Sequence, residues 1–117
     1  MTARQEAGAL GEQLVARRLE SEGYRLLACN VRVGRLELDV IVTRGRMIVF
    51  CEVRTRNSRA FLDPIETIDR AKVARVRKAA AQWLVSQQLR FDEIRFDAAS
   101  VVLDGPEPQI DYFEAAF

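Results

Sequence analysis

The stretch LELDVIVTRGRMIVFCEVRTR, residues 36–56, decides the fold of this chain. Leu36 to Thr43 and Met47 to Thr55 are rich in Val and Ile, with Arg44-Gly45-Arg46 between them. Gly45 can take the positive φ of a tight hairpin, so the two runs read as antiparallel strands. With a two-residue loop, either Arg44-Gly45 or Gly45-Arg46, opposed positions sum to an odd number. Glu37, Asp39 and Glu52 then share one face, because residues two apart in a strand point the same way. Leu38, Val40, Val42, Val49, Cys51 and Val53 share the other, a wholly apolar surface.

The flanking segments read outward from that hairpin. Thr2 to about Glu22 is helical, with Ala7, Leu10, Gly11, Leu14, Val15 and Leu19 on one arc and Glu12 at its edge. Gly8 and Gly11 allow another backbone to come close, and Gly23 suits a helix stop. Tyr24 to Val33 is a first strand. Asn57 to Asp63 reads as a polar loop, and Pro64 to Gln88 as a second helix with Pro64 in its first turn. Ile65, Ile68, Val73, Val76, Ala80, Trp83 and Leu84 form its buried stripe. Glu93 to Val102 is a fourth strand, Asp104-Gly105-Pro106 a turn and Gln109 to Phe113 a short fifth strand. The order αβββαββ predicts an α/β protein, a mixed sheet with helices packed on it, in one domain over residues 1–117.

Composition narrows the chemistry. A chain of 117 residues can bury a core without staples. Its net charge of +1 neither demands nor excludes a polyanionic partner. The absence of histidine excludes His general bases, Ser-His-Asp triads and His-ligated metals. Cys29 and Cys51 are too few for a structural zinc and are expected as two buried thiols in a reducing cytosol. The N-terminus is polar, with Glu6 and Glu12, and no apolar run is long enough for a bilayer. A cytoplasmic protein without membrane association is the expectation.

The acids of the hairpin carry the chemistry. Carboxylates on adjacent strands, with Arg54 beside them, suit a hard divalent ion such as Mg²⁺ or Mn²⁺. Such an ion polarises a phosphoryl oxygen and acidifies a water. Asp39 and Glu52 are the best pair, the Val53 carbonyl a third donor, and Glu12 reaches in from the first helix. On spacing alone, a solvated sheet face is the simpler reading. Ile41, Ile48 and Phe50 share that face, however, so the acids there are half covered and need partners or a metal.

Gly8-x-x-Gly11-Glu12, Glu37-Leu38-Asp39 and Phe50-Cys51-Glu52-Val53-Arg54-Thr55-Arg56 together resemble the YraN-like endonuclease-related family. Lys72, Arg95-Phe96-Asp97 and Ala115-Ala116-Phe117 match as well, so the likeness covers nearly the whole chain in order. That family is grouped with restriction-endonuclease-like proteins and is similar in layout to archaeal Holliday-junction resolvases. The resemblance implies an αβββαβ core and an Asp…Glu-x-Lys site, with Asp39 and Glu52 as metal-binding acids and Glu12 as the accessory acid. Two positions depart from it. Arg54 stands where the motif has Lys, and Arg stays charged where Lys can lose a proton. Asp63 stands where a small residue is expected before the Pro.

The basic residues complete the expectation. Arg54, Arg56, Arg59, Lys72 and Arg75 would form a rim that contacts nucleic-acid phosphates, whereas Arg77 and Lys78 read as a solvated helix face. Arg95 and Asp97 read as a structural ion pair, and Trp83 and Cys51 as core. The expected function is a metal-dependent endonuclease acting on DNA, branched or structured DNA included, with Glu12, Asp39, Glu52 and Arg54 at the catalytic centre. The two-fold symmetry of a junction makes a homodimer the matching assembly. The alternatives are a catalytically impaired nucleic-acid-binding protein of the same fold, or a protein-interaction subunit with a solvated acidic face.

Overall fold

The computed structural model describes residues 2–57 and 69–117. Strands β2 (Leu36–Arg44) and β3 (Met47–Arg56) pair antiparallel with Arg44 opposite Met47. The hairpin loop is therefore Gly45-Arg46, and Gly45 has φ 61°. Strand β1 (Arg25–Val33) pairs antiparallel with the other edge of β2. Strand β4 (Glu93–Val102) pairs parallel with β3, which requires a crossover between them. Helix α2 (Arg70–Val85) lies in that crossover. Strand β5 (Gln109–Phe113) closes the sheet antiparallel to β4, in the order β1-β2-β3-β4-β5. With helix α1 (Ala3–Ser21) ahead of β1, this is the expected mixed α/β layout with its αβββαβ core.

Each helix covers one face of the sheet. Val15, Ala16 and Leu19 of α1 pack on Val40, Val42, Val49, Cys51, Ala99 and Val101. Val76, Ala79 and Ala80 of α2 pack on Leu38, Ile41, Ile48, Phe50 and Phe96. Burying an aliphatic side chain of this size contributes about 1.5–3 kcal/mol. Phe50 is stacked on Phe96 at 5.5 Å and meets the edge of the half-buried Trp83 at 6.0 Å. Thr2 and Gln5 form a reciprocal capping box at the start of α1. Asp69 caps α2, its Oδ1 accepting the Lys72 N–H at 2.7 Å. Arg59, Asp63, Pro64, Ile65 and Ile68, with most of the expected loop, lie outside the described residues. Among the described residues no helix is long and apolar enough to cross a membrane.

The expected common face of Glu37, Asp39 and Glu52 is not what forms. Leu38 packs with Ile41 on the α2 side, while Val40 and Val42 pack on the α1 side. Strict alternation would put Leu38 with Val40, so the phase of β2 slips at Asp39. Asn30, between the pairs Cys29–Val40 and Val31–Leu38, has φ 53°. Such a backbone is uncommon outside glycine and marks the same irregularity on the neighbouring strand. The slip turns Glu37 towards α1 and leaves Glu52 towards α2.

Cys51 is buried as expected, but Cys29 is exposed, and neither forms a disulfide. The Arg95–Asp97 ion pair is present and extends into a network. Asp97 is fully buried and accepts from Arg95 Nε and an Arg95 terminal nitrogen at 2.8 Å each, from the Tyr112 hydroxyl, and from Ala115 N–H at 3.0 Å. Arg95 also donates to the Tyr24 hydroxyl at 2.9 Å.

Candidate functional site

The site begins where the β2–β3 ladder stops. The last pair is Val40–Cys51. Beyond it, the Val53 backbone N–H donates to Asp39 Oδ2 at 2.9 Å. A side-chain carboxylate thus replaces a strand carbonyl as acceptor, which fixes the Asp39 side chain at the point of the phase slip. The strands part here, and acidic groups fill the opening.

Helix α1 brings Glu12 to this point because Gly11 allows a close approach to β3. A Cβ on Gly11 would overlap the Thr55 hydroxyl and lie 3.0 Å from Thr55 Cβ. Carboxylate oxygens of Glu12, Glu37 and Asp39 then lie within 4.8 Å of one another. The Asn30 amide sits among them. With its nitrogen turned to the acids, it donates to Glu12 Oε1 at 3.0 Å and to Glu37 Oε1 at 2.9 Å.

Glu52 approaches from the other face. It is 9 % exposed, and its Oε1 lies 2.6 Å from Lys72 Nζ of α2. Arg54 is on the same strand face, with a terminal nitrogen 3.9 Å from Glu52 Oε1. Asp39 links the two halves. It lines a groove of about 440 Å³ with Arg4, Gly8, Glu12, Glu37 and Arg54 to Arg56. It also lines a tight gap with Phe50, Glu52, Val76 and Phe117.

Crowding of acids shifts their titration. Burial, above all, pushes the Asp39 carboxyl up to about 8; the charges of Glu52 and Glu12 add to this, against the Val53 hydrogen bond and Lys72. Burial likewise pushes Glu12 up to about 7, with Glu37 and Glu52 adding and a hydrogen bond to Asp39 opposing. Glu12 and Asp39 share that hydrogen bond, so their protons belong to the pair. A cluster that resists its own ionisation is a cluster that gains from a cation.

Glu12, Asp39, Arg54 and Arg56 are thus brought to one groove, and Glu52 meets Asp39 from the other face of the sheet. Lys72 is turned inward to Glu52, away from a rim position. Arg75 is exposed and lines a separate depression with Arg35, Leu36 and Lys78, so it does not stand beside Lys72 at the site. Three participants were assigned no role by sequence reasoning, though Glu37 was placed with the acids. Glu37 joins the carboxylate triangle because of the phase slip. Asn30 reaches it through its positive φ. Arg4 lines the groove one helical turn before Gly8. Glu37 had one usable signal, its place two residues before Asp39.

A family model described as "Uncharacterised protein family UPF0102" matches residues 11–101. A UPF0102 protein of Alkaliphilus oremlandii is 39% identical over 112 residues, covering 94% of this chain and 96% of the relative. A UPF0102 protein of Moorella thermoacetica is 41% identical over 104 residues, covering 89% and 87%. One from Beutenbergia cavernae is 40% identical over 102 residues, covering 87% and 86%. The matched segment of the family model contains Glu12, Asn30, Glu37, Asp39, Glu52 and Lys72.

Proposed function

Because the chain belongs to the UPF0102 family, the YraN-like family expected from its motifs and uncharacterised by description, its activity must be argued from its own site; we propose that it is a metal-dependent endonuclease hydrolysing DNA phosphodiesters, branched or structured DNA included. One observation carries this reading. The Glu12, Glu37 and Asp39 carboxylates converge in a groove that is also lined by Arg4, Arg54 and Arg56. Acids to hold a hard cation and guanidiniums to meet phosphate are the two requirements of phosphodiester hydrolysis without histidine.

The donor set fits Mg²⁺ or Mn²⁺, since it consists of carboxylate oxygens with an amide nearby. Asp39, Glu12 and Glu52 would hold the ion, with Glu37 beside them. When bound, it supplies Lewis-acid polarisation of the phosphoryl oxygen and a more acidic water. Val53 N–H keeps Asp39 oriented throughout. Arg54 stabilises charge developing on the phosphoryl group, and Arg4 and Arg56 position the DNA backbone. The described residues lining the groove offer guanidiniums for phosphate and no aromatic side chain for base stacking. A homodimer matches a two-fold junction.

The test is cleavage of supercoiled plasmid and four-way junctions with Mg²⁺ or Mn²⁺. Wild type should cut, and Asp39→Ala and Glu52→Ala should cut at least ~10²-fold more slowly, the scale expected when a preorganised charge is lost. Equal cleavage by all three proteins sinks the assignment. Arg54 favours a second reading, a nucleic-acid-binding protein impaired in catalysis, because Arg does not give up a proton. Salt-dependent DNA binding without cleavage, and cleavage gained by Arg54→Lys, is its signature.

A further inference from the structure

Glu52 stands apart from the other acids. It is buried, but the carboxylate triangle is made by Glu12, Glu37 and Asp39. Its Oε1 is held by Lys72 Nζ at 2.6 Å, with the Lys72 side chain 24% and the Glu52 side chain 10% exposed. An ion pair so far withdrawn from water is much less screened than one on the surface. Lys72 is also placed with care. It lies in the first turn of α2, and its own N–H is fixed by the Asp69 cap. Its charge acts on Asp39 as well, opposing the influence of Glu52 and Glu12.

One ammonium therefore bears on two of the acids expected to hold a divalent ion, from the sheet face opposite α1. A divalent ion that takes Glu52 binds a carboxylate whose Oε1 is already paired with Lys72, so two like charges then share one carboxylate. We propose that Lys72 is a built-in counter-ion that competes with the divalent cation for Glu52, compensating the acids when no ion is bound and weakening the site's hold on the ion. This rests on the metal-dependent reading above and adds to it a control on metal affinity.

The measurement is Mn²⁺ binding followed by electron paramagnetic resonance of the free ion, at fixed pH and ionic strength. Lys72→Met should bind Mn²⁺ about tenfold more tightly, because a nearby like charge has been removed. Lys72→Gln, still able to donate a hydrogen bond but uncharged, should show the same gain and serves if the Met variant does not fold. Lys72→Arg should stay within about threefold of wild type, since the charge remains. In a Glu52→Gln background the gain from Lys72→Met should shrink to what its action on Asp39 alone supplies, because Lys72 and Glu52 act on each other. Melts without metal establish that each variant is folded.

Unchanged or weaker binding by both uncharged variants overturns the inference, as does a gain that is undiminished in the Glu52→Gln background. Tighter binding by Lys72→Met with no cleavage by wild type removes the endonuclease reading and keeps the counter-ion. Cleavage by wild type with no gain does the reverse. Absence of Mn²⁺ binding in every variant removes both.

Discussion

The carboxylate of Asp39 takes the backbone N–H of Val53 at 2.9 Å, one step past the last β2–β3 pair. Asp39 is therefore both a structural acceptor and a candidate ligand, and the two roles separate by substitution. Asp39→Ala leaves the Val53 donor without its acceptor and should cost about 1–3 kcal/mol. Asp39→Asn keeps an acceptor oxygen and relieves acid crowding, so its denaturation midpoint should stay at or above that of wild type. Both should lose cleavage. A stable Asp39→Asn that still cuts at the wild-type rate would remove Asp39 from the chemistry.

Stability should fall as pH rises when no divalent ion is present. Asp39 and Glu12 are pushed up to about 8 and about 7 from ordinary values of 3.8 and 4.5. Between those limits the folded chain binds more protons than the unfolded one, so the slope of stability against pH is negative. Their contribution is complete below about pH 4 and is lost as pH passes 7 to 8. In chelator, the thermal midpoint should drop between pH 5 and pH 8.5, and Asp39→Asn should flatten the drop. A midpoint that climbs across this window contradicts the assignment.

Gly11 is predicted to be intolerant of a side chain. Gly11→Ala drives a methyl into Thr55 and should push α1 away from β3, at a cost of about 1–3 kcal/mol. Because Glu12 follows directly, Mn²⁺ affinity should fall too. Pairing Gly11→Ala with Thr55→Gly makes room for the methyl and should restore much of that affinity. An affinity unmoved by Gly11→Ala would separate the helix position from the site.

The network around Asp97 should behave as a structural unit. Asp97→Ala strands Arg95, whose side chain is 16% exposed, and unties Tyr112 and Ala115. Breaking a buried pair from one side costs about 3–5 kcal/mol. Guanidinium denaturation should show that loss, and the surviving folded protein should bind Mn²⁺ like wild type. A selective loss of metal binding at unchanged stability would place Asp97 in the site instead.

The hairpin, its two-residue loop and the order of helices and strands along the chain were legible in the sequence, because Gly45 and the β-branched runs 40–42 and 48–49 leave few alternatives. The phase slip at Asp39 was not. Val40-Ile41-Val42 is apolar on both faces, since helices cover both, so no alternation there reports which way the chain points. The Glu37 role was hidden for the same reason. Lys72 and Glu52 are twenty positions apart, and no local spacing rule joins them. Cys29 misled because an edge strand buries fewer of its side chains than its composition suggests.

The sheet separates what the helices carry. Glu12 rides on α1 and Lys72 on α2, with β2 and β3 standing between them as a fixed spacer. Substitutions under α1 reach the acids through Glu12, and substitutions under α2 reach the same acids through Lys72. The charge balance of one cluster is thus adjustable from two places in the sequence, one under each helix, while the sheet between them stays the same.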